Sequence, residues 1–595
     1  MCGIVACRSN GPAKEYLLSA LERLEYRGYD SAGMAVSADD GTLALLRTVG
    51  RLQSLRRIVE DYEGPVLNGT GIGHTRWATH GPVSVRNAHP HLSCDNGVAI
   101  VHNGIIHNAP ALRQELEDAG HVFRSDVDSE VIAHLVEDGV GDGEELLDAV
   151  RRAAGRLTGS WAIAAVERSS NRVVVTAHRC PLIVGRSPVG DFAASDTAAL
   201  LHWVDAVHVL RDDDVVELGT RWRWSGPEGP RAAPPSVVPA WRPDDVVLGS
   251  YPDFMAKEIA EQTGVAARIV DEFSGAIADG SLWGDLGLPA PARVRLLACG
   301  TSLNAGRLIG RVFESLGGVA VRAVVASEGA NDLVEPNTIT LAISQSGETA
   351  DVLQALEHSE STPLVALTNN IHSSLARQAS AVLNCHAGPE IGVAATKTFT
   401  AQVLVGVALA LSGLVYGGQL TPRQAQRYVD LLAATPDRFA AAEQIVAREL
   451  PAYIDSLSTA PGFLFLARGA GLPYAAEGAL KLQEITYRWA NAYPAGELKH
   501  GPIALIEQGT PVIAVDDGND RLRLNLAEVS ARGARVIDIG GPGAVLPLIA
   551  EYPIRPPWGP LESVVGLQHL ARSVAVALGR DVDKPRNLAK SVTVE

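Results

Sequence analysis

The chain has 595 residues, with 51 Lys and Arg against 68 Asp and Glu, and a formal net charge of −17. At about 150 residues per domain, this length predicts three or four domains. The acidic balance argues against nucleic acid or an anionic membrane as the main partner, because both bind basic surfaces. The six cysteines stand without CxxC spacing or His clusters, so we expect no metal site, no disulfide framework and a reducing cytoplasmic location.

The second residue, Cys2, is the first candidate for chemistry. Once the initiator methionine is removed, one residue would carry both a thiol and a free α-amine, and the amine can take the thiol proton. A cleaved signal peptide would be incompatible with this arrangement, and we expect none. By itself, a cysteine at this position is more typical of a small buried residue that starts a strand.

Polar motifs follow Cys2 along the chain. They are HTRWATHG at 74–81, His89, the run His102-Asn103-Gly104, and SDVDSE at 125–130. Each has an ordinary alternative. Asn-Gly between apolar runs is typical of a hairpin turn, Arg76-Trp77 of a surface cation–π pair, and Asp128 of a helix cap. Their combination with Cys2 favours a catalytic interpretation.

Over residues 2–220, these motifs resemble the glutaminase domain of class II glutamine amidotransferases, which are N-terminal-nucleophile hydrolases with an αββα fold. The resemblance implies that Cys2 attacks the side-chain amide carbon of L-glutamine, while Asn103 and Gly104 hold the developing oxyanion. It also implies that Arg76 binds the α-carboxylate and Asp128 the α-ammonium. The other implied glutamine-binding residues are Trp77, Thr79, His80 and His89.

This region alternates short strands with a few helices. Apolar strands are predicted at 97–101, 161–166 and 172–176. A Pro/Gly-rich stretch at 225–243 follows. Such a composition cannot form a helix or a central strand, so we expect a linker at 221–250.

Beyond a helical pattern that starts at Asp253, the chain repeats itself. The segments 294–305 and 463–474 both run from an apolar strand through a glycine turn into a helix rich in Ala and Gly. Each is followed by another apolar strand, at 339–343 and 511–515. This order predicts two parallel sheets with crossover helices, duplicated at a spacing of about 170 residues.

Both copies resemble sugar isomerase (SIS) domains, which are flavodoxin-like α/β folds. We assign the first copy with its leading helix to 251–430, the second to 431–580, and a C-terminal tail to 581–595. The expected site lies at the carboxyl ends of the strands. The most apolar stretch, 403–416, is too short to span a bilayer and predicts a buried helix.

The hydroxyl-rich run SQSGET at 344–349 follows a predicted strand and opens a helix. Three hydroxyls and several free backbone N–H groups at a helix N-terminus predict a monophosphate site without any lysine. The alternative is a Ser N-cap with a nearby Glu, a capping box, but the run has more hydroxyls than capping needs. The run Cys299-Gly300-Thr301-Ser302 ends the preceding strand and should face the same pocket.

A predicted helix carries Glu477, Lys481 and Glu484 at spacings of four and three, which place them on one face. The alternative is an ordinary exposed Glu–Lys pair. Three further motifs are EYRGYDSAG at 25–33, GELKHGP at 496–502 and RNLAKSVTVE at 586–595. With them, nearly the whole chain is similar to the isomerizing glutamine–fructose-6-phosphate aminotransferases, or glucosamine-6-phosphate synthases.

That resemblance implies transfer of the amide nitrogen of L-glutamine to D-fructose 6-phosphate and isomerisation to D-glucosamine 6-phosphate, without a cofactor. Lys481 would form a Schiff base with the C2 carbonyl, which needs a partly deprotonated amine, and a desolvated pocket favours that form. Glu484 would move a proton between C1 and C2. His500 would assist ring opening and come from the partner subunit of a homodimer.

The tail is implied to close over the sugar, with Lys590 counted among the catalytic residues, and to wall an ammonia channel with Trp77 as its gate. The implied sugar-phosphate-binding residues are Cys299, Gly300, Thr301, Ser302, Ser344, Gln345, Ser346, Thr349, Val393 and Ala589.

The chain departs from the family pattern near the sugar. Ala395 stands where a Ser is expected, Gly329-Ala330-Asn331 replaces an aromatic and arginine stretch, and Gln483 and Asn491 replace charged residues. Two alternatives therefore stay open: a paralogue that aminates another ketose phosphate by the same mechanism, and a non-catalytic sugar-phosphate sensor. Retention of the nucleophile and of the Lys/Glu pair argues against the sensor, which needs neither.

Overall fold

The computed structural model describes residues 2–78, 81–168, 170–239, 241–357, 362–549 and 551–592. The chain divides into two compact units. The N-terminal unit contains the residues up to Val247 together with the stretch from Ala589 onward, and the C-terminal unit is Leu248–Leu588. The tail residues Ala589 and Lys590 thus group with the N-terminal unit.

The N-terminal unit is built from antiparallel strands and flanking helices. The strands are β1 Gly3–Ser9, β2 Ser31–Ala38, β3 Leu43–Val49, β4 Leu67–Arg76, β5 His91–Leu92, β6 Val98–Ile106, β7 Gly159–Glu167, β8 Val173–His178, β9 Ile183–Ser187, β10 Gly190–Ala194, β11 Val207–Val209, β12 Asp214–Leu218, β13 Arg223–Gly226, β14 Gly229–Pro230 and β15 Ser236–Val237. The helices are α1 Ala13–Leu24, α2 Leu52–Glu60, α3 Ala109–Asp118, α4 Glu130–Gly141 and α5 Leu146–Ala154.

These strands form two sheets in the described part of the unit. The eight-stranded sheet has the order β15-β11-β9-β10-β1-β4-β2-β3, and the seven-stranded sheet the order β14-β13-β12-β8-β7-β6-β5. The period-2 alternation of a strand explains the layers. In β1, Ile4 and Ala6 belong to a core shared by both sheets, whereas Val5 and Cys7 pack with α1. Helices α3 to α5 cover the other sheet through a third core. The order helix, sheet, sheet, helix confirms the αββα prediction.

The Pro/Gly-rich stretch supplies edge strands to this unit. Strand β14 ends the seven-stranded sheet beside β13, and β15 ends the eight-stranded one. An edge strand needs ladder hydrogen bonds on one side only, so it tolerates the prolines that a central strand excludes. The stretch expected as a linker therefore contributes ordered pairing as far as Val237.

The C-terminal unit is built from parallel strands and crossover helices. The strands are β16 Arg293–Ala298, β17 Ala320–Val325, β18 Thr338–Ser344, β19 Leu364–Thr368, β20 Ala381–Asn384, β21 Gly462–Ala467, β22 Trp489–Pro494, β23 Pro511–Val515 and β24 Arg535–Ile539. The helices are α6 Phe254–Ile277, α7 Ser281–Gly284, α8 Gly300–Gly317, α9 Ala350–Leu356, α10 Ser374–Gln378, α11 Lys397–Tyr416, α12 Pro422–Ala433, α13 Thr435–Glu449, α14 Pro451–Ser458, α15 Gly471–Thr486, α16 Asp520–Ser530 and α17 Ser563–Ala577.

The two sheets of this unit show the predicted duplication. Their orders are β17-β16-β18-β19-β20 and β22-β21-β23-β24, and every pairing is parallel. In both, the first strand along the chain lies second in the sheet and leads through a helix to its neighbour. This repeated order confirms the prediction of two flavodoxin-like domains.

Helix α11 lies in the core between these elements. It is long and apolar enough to cross a membrane, yet 94% of its most apolar window is buried inside the structure. Its sequence is apolar all round because it packs against α6 and α8 together. The prediction of a buried helix at 403–416 is confirmed.

Candidate active site

The N-terminal site forms where the start of β1 meets the end of β4. Gly3 pairs with Thr75 in the antiparallel ladder, so Cys2 lies at the end of β4 and close to the residue that follows it. That residue is Trp77, whose backbone N–H donates to Cys2 Sγ at 3.2 Å. Burial raises the pKa of the Cys2 thiol, although this N–H and the Arg76 charge lower it. The thiol therefore needs an adjacent base to react at neutral pH.

Asn103 lies within β6 and faces Cys2. Its side-chain N–H donates to the Cys2 carbonyl oxygen at 3.0 Å. Its oxygen lies 3.0 Å from His74 Nε2, which also lies 3.1 Å from the His102 carbonyl oxygen. Because His74 Nε2 faces two oxygens, it is the protonated nitrogen, and this fixes the Asn103 amide with its N–H groups toward Cys2. The expected oxyanion donor is thus oriented toward the nucleophile.

His74 and His89 form a support behind Asn103. Their rings stack at 4.2 Å, and His89 Nδ1 accepts from the His102 N–H at 3.3 Å. Burial lowers the pKa of His74 to about 3, so the ring stays neutral. The resemblance implies that His89 binds glutamine; in the structure its ring stacks on His74. The orienting role of His74 was not predicted, although the HTRW motif carries the signal.

Gly104 follows Asn103 inside the strand, not in a hairpin turn. Its φ is +132°, and a Cβ there would lie 2.0 Å from the Ser160 carbonyl oxygen. Only glycine accommodates both the dihedral and this contact. The Asn-Gly pair therefore belongs to a distorted strand position rather than to a loop.

Arg76 and Asp30 lie close enough to the Cys2 thiol to influence its pKa, and Asp128 lies close enough to influence that of Arg76. Arg76 is 4% exposed, which rules out a surface cation–π pair. Asp128 accepts from the Ile106 N–H at 2.9 Å and does not cap α4. Asp30, which sequence reasoning missed, accepts from the Ala78 N–H at 2.9 Å. It belongs to the EYRGYDSAG motif, which could have identified it.

The predicted glutamine-binding residues Thr79 and His80 lie outside the described residues. Trp77 is described, and its ring packs edge-to-face on Tyr29 with 5.8 Å between centroids.

The hydroxyl-rich run 344–349 forms a tight loop after β18. Ser344 Oγ accepts from the Gly347 N–H at 3.0 Å and lies 2.8 Å from Thr349 Oγ1. Ser346 Oγ accepts from the Glu348 N–H at 3.1 Å. Gln345, Ser346 and Thr349 are half-buried, whereas Ser344 is buried. Part of the run therefore shapes the loop and part faces outward.

The capping-box alternative is wrong for this run. Thr349 is the N-cap of α9 and makes no side-chain capping bond. Glu348 accepts from the Ser374 N–H at 2.9 Å, away from the start of α9. Gly347 has φ +66°, and a Cβ there would lie 2.0 Å from Ser373 Oγ.

Side chains of the run 299–302 contact both α9, which follows this loop, and α15 of the second SIS repeat. Strands β16 and β18 are parallel neighbours, so both loops leave the same edge of the sheet. Cys299 Sγ lies 3.9 Å from Asp351 at the start of α9, and Ser302 Oγ accepts from Gln402 at 3.0 Å. Thr301 Oγ1 donates to Glu477 of α15 at 2.9 Å.

Lys481 lies at the centre of the C-terminal site. Its side chain is 1% exposed, and its Nζ lies 2.6 Å from Glu484 Oε2 and 3.6 Å from Glu477 Oε1. Glu477 also accepts from Asn304 at 3.0 Å. The alternative of an exposed Glu–Lys pair is therefore wrong. The predicted face of α15 points into the protein.

The charge state of Lys481 differs from the expectation. Burial lowers the pKa of its amine, but the carboxylates of Glu484 and Glu477 raise it by more, so the net shift is upward. Desolvation alone therefore does not supply the neutral amine. While both carboxylates are charged, the ammonium loses its proton most readily to an acceptor in contact with Nζ, and Glu484 has that position.

The remaining predicted residues of this unit lie on other segments than α15. Val393 is buried, and its N–H donates to the Asp583 carbonyl oxygen at 3.0 Å. Ala395 is half-buried, and Gly329 to Asn331 lie in the short 3₁₀ helix Ala326–Asn331. His500 is exposed at the end of the 3₁₀ helix Ala495–His500.

Comparison with known proteins covers both units. A glutamine amidotransferase domain model matches residues 74–202, and an SIS domain model matches 289–412 and 456–541. The chain is 40% identical over 618 residues to "Glutamine--fructose-6-phosphate aminotransferase [isomerizing]" of Thermus thermophilus. It is 41% identical over 631 residues to the protein of that name in Mycobacterium bovis, and both alignments cover 100% of each chain.

A solved structure matches the C-terminal part of the chain. It is the C-terminal domain of glucosamine-fructose-6-phosphate aminotransferase from Francisella tularensis. That match has 32% identity and a TM-score of 0.52, and it covers 57% of this chain and all of the other. With full-length relatives and both domain models in agreement, the chain belongs to the family of isomerizing glutamine–fructose-6-phosphate aminotransferases.

Proposed function

We propose that this protein transfers the amide nitrogen of L-glutamine to D-fructose 6-phosphate and isomerises the product to D-glucosamine 6-phosphate, with release of L-glutamate. One observation carries the proposal: the buried lysine, Lys481, contacts the carboxylate of Glu484 at 2.6 Å. A protein that only binds a sugar phosphate does not need a buried amine in contact with a proton acceptor, whereas imine formation does. The Cys2–Asn103 arrangement in the other unit supports the nitrogen-donating half.

In the glutaminase half-reaction, Cys2 Sγ bonds to the amide carbon of glutamine after its proton passes to the α-amine. Asn103 donates to the oxyanion that develops on the amide oxygen, together with the Gly104 N–H. The C–N bond then breaks, and ammonia leaves with the proton. Water hydrolyses the thioester to glutamate.

In the sugar half-reaction, Glu484 takes the proton of the Lys481 ammonium, and the neutral amine forms an imine with C2 of the open-chain ketose. Glu484 also moves a proton between C1 and C2, which converts the ketose skeleton to an aldose. The half-buried hydroxyls of Ser346 and Thr349 support recognition of the phosphate by hydrogen bonds rather than by a lysine.

We further propose a cytoplasmic homodimer in which His500 acts on the sugar bound by the partner subunit. The exposed position of His500 supports a role across an interface. The tail from Leu588, with Ala589 and Lys590, is proposed to close the sugar site. Glutamine and the ketose phosphate are the partners, and no cofactor enters the scheme.

A second candidate is a paralogue that aminates another ketose phosphate. The observation that favours it is Ala395, which removes one hydroxyl beside the buried Val393–Ala394 segment. The two candidates share every catalytic residue and differ only in the sugar.

Product analysis tests the proposal. The purified protein is incubated with glutamine plus one ketose phosphate at a time, first fructose 6-phosphate and then others. The amino sugar formed in each reaction is identified by mass spectrometry. We expect glucosamine 6-phosphate and glutamate in equal amounts, with the highest kcat/KM for fructose 6-phosphate. A higher kcat/KM for another ketose phosphate would establish the paralogue instead.

Two cysteine variants serve as controls. Cys2→Ala should abolish glutamine hydrolysis, while Cys180→Ala, which changes a buried cysteine of the same unit, should keep it. Glutaminase turnover by Cys2→Ala, or binding of fructose 6-phosphate without any product from the wild type, would contradict the proposal.

A further inference from the structure

A second cluster of reactive side chains lies in the N-terminal unit, outside the glutamine site. It consists of Cys94, His121, His134 and Glu137, whose ligand atoms all lie within 4.8 Å of one another. Cys94 follows β5, His121 follows α3, and the other two lie one turn apart on α4. Three separate segments therefore direct soft and hard donor atoms to one point.

The distances within the cluster match a metal polyhedron. Cys94 Sγ lies 3.5 Å from Nδ1 of both His121 and His134. Glu137 Oε2 lies 3.2 Å from the same two nitrogens. A tetrahedral Zn²⁺ site with Zn–S of about 2.3 Å and Zn–N and Zn–O of about 2.0 Å has S–N edges of about 3.5 Å and N–O edges of about 3.3 Å. All four measured edges agree with these values.

The other ring nitrogens show the pattern of metal-bound histidines. His121 Nε2 lies 2.9 Å from Asp138 Oδ1, and His134 Nε2 lies 3.7 Å from Glu130 Oε1. At His121 the Asp138 carboxylate is within hydrogen-bond distance of Nε2 and holds the ring proton there, so the His121 Nδ1 lone pair points into the cluster. The His121 lone pair, the Glu137 carboxylate oxygen and the Cys94 sulfur then face one another beside His134 Nδ1. A cation relieves this repulsion.

Backbone groups hold the two anionic ligands in place. The Val122 N–H donates to Cys94 Sγ at 3.4 Å. The N–H groups of Cys94 and Asp95 donate to the Glu137 carboxylate at 3.0 and 3.2 Å. One thiolate and one carboxylate balance the charge of a divalent ion, and the Asp138 and Glu130 carboxylates lie beside the outer nitrogens of the two histidines.

The geometry points to a structural Zn²⁺ site formed by Cys94, His121, His134 and Glu137. Thiolate and imidazole select zinc over Mg²⁺ and Ca²⁺, which take oxygen ligands. Four protein ligands leave no open position, as in structural rather than catalytic zinc sites. The ion ties the turn before β6 to α4, which begins two residues after Asp128. It would thus stabilise the frame that carries Asn103 and Asp128.

Metal analysis of the full-length protein, produced without a polyhistidine tag in zinc-supplemented medium, tests the site. After exchange into buffer with a weak chelator, we expect about one zinc per chain by plasma mass spectrometry. Cys94→Ala and His134→Ala should each lose the metal, whereas Cys180→Ala should keep it. Zinc that persists in both ligand variants would place the ion elsewhere and overturn the proposal.

A measurement on the wild type alone decides the case if the variants do not fold. Metal-free protein, prepared with a strong chelator and shown to be folded by circular dichroism, is titrated with Co²⁺. We expect thiolate-to-cobalt charge transfer and the intense visible bands of tetrahedral Co²⁺, saturating at about one equivalent. Metal loss should also lower the melting temperature.

Folded protein that takes up neither Co²⁺ nor Zn²⁺ would overturn the proposal and show that the four side chains only hydrogen-bond to one another. The readout involves no substrate, so this failure is distinct from any failure of the proposed activity.

Discussion

Lys481 experiences two opposing effects at its amine, since burial disfavours the ammonium while Glu484 and Glu477 favour it. The carboxylates dominate, and the resting state is therefore an ion pair with a poised acceptor. In the proposed mechanism, Glu484 thus serves both imine formation at Lys481 and transfer of the sugar proton. Glu477 differs from Glu484 because Thr301 and Asn304 already donate to it.

Borohydride trapping with fructose 6-phosphate distinguishes these roles. Lys481→Ala should give no trapped adduct. Lys499 is an exposed lysine paired with Glu528, and the control variant Lys499→Ala should behave as the wild type. Glu484→Gln should form the adduct without isomerising it. Because that change removes one negative charge beside the amine, the pKa of Lys481 should fall and trapping should begin at a lower pH than in the wild type. An adduct in Lys481→Ala would assign the imine to another lysine.

His74 predicts an acid-sensitive stability. Its folded pKa of about 3 lies below its unfolded value of 6.5, so the stabilisation is present above pH 6.5 and is lost as the pH falls toward 3. His74→Gln should reduce the pH slope of the unfolding free energy by about 1.4 kcal/mol per pH unit within this window. Denaturant unfolding at several pH values measures it, with the exposed His107→Gln as control. An unchanged slope would show that other groups cause the acid sensitivity.

At the scale of elements, the periodic patterns predicted the strands and helices well. Strands such as β6 and β18 carry alternating or continuous apolar residues, and α15 carries Lys481 on a face that the spacing defined. The loops were less predictable from sequence. The hydroxyls of the run 344–349 predicted a phosphate site. In the structure the Ser344 hydroxyl accepts a hydrogen bond from the Gly347 N–H, and the loop shape depends on Gly347.

Gly347→Ala should damage the sugar site alone. A left-handed backbone costs about 1–2 kcal/mol for a non-glycine residue, and the new Cβ would also meet Ser373, whose hydroxyl caps α10. We expect KM for fructose 6-phosphate to rise at least about tenfold, equivalent to about 1.4 kcal/mol. Glutamine hydrolysis measured without sugar should not change.

Gly318→Ala is the matched control, with φ +61° and nothing within 4 Å of its Cβ. The alanine variant has the same cost in free energy for a left-handed backbone, but its Cβ contacts no other residue. Equal effects of both variants on KM would show that general destabilisation, not the loop, is responsible.

At the scale of the whole molecule, the two proposed half-reactions belong to two units of one chain, and we expect ammonia to be transferred without release. Trp77 contacts Cys2 through its backbone N–H, not its indole. The side chain is therefore available for a role other than activating the thiol.

Trp77→Ala should keep measurable glutamine hydrolysis, because the alanine retains the N–H donor. Output of glucosamine 6-phosphate should fall further, so that the ratio of glutamate to amino sugar rises above one. Both products are quantified in the same reaction, with Trp203→Ala as an aromatic control within the same unit's core. Strict one-to-one stoichiometry in Trp77→Ala would assign Trp77 a packing role.

The sequence by itself determined the two chemical halves, the αββα and parallel-sheet folds, and most catalytic candidates. Each of these depends on local periodicity or on a short motif. Tertiary structure decided what depends on distances between residues far apart in the chain. It fixed the Asn103 amide through His74, set the direction of the Lys481 pKa through Glu477 and Glu484, and joined four donors whose chain positions show no metal-binding spacing. Electrostatic and coordination energies vary with separation in space, and that separation exists only once the strands have paired and the helices have packed.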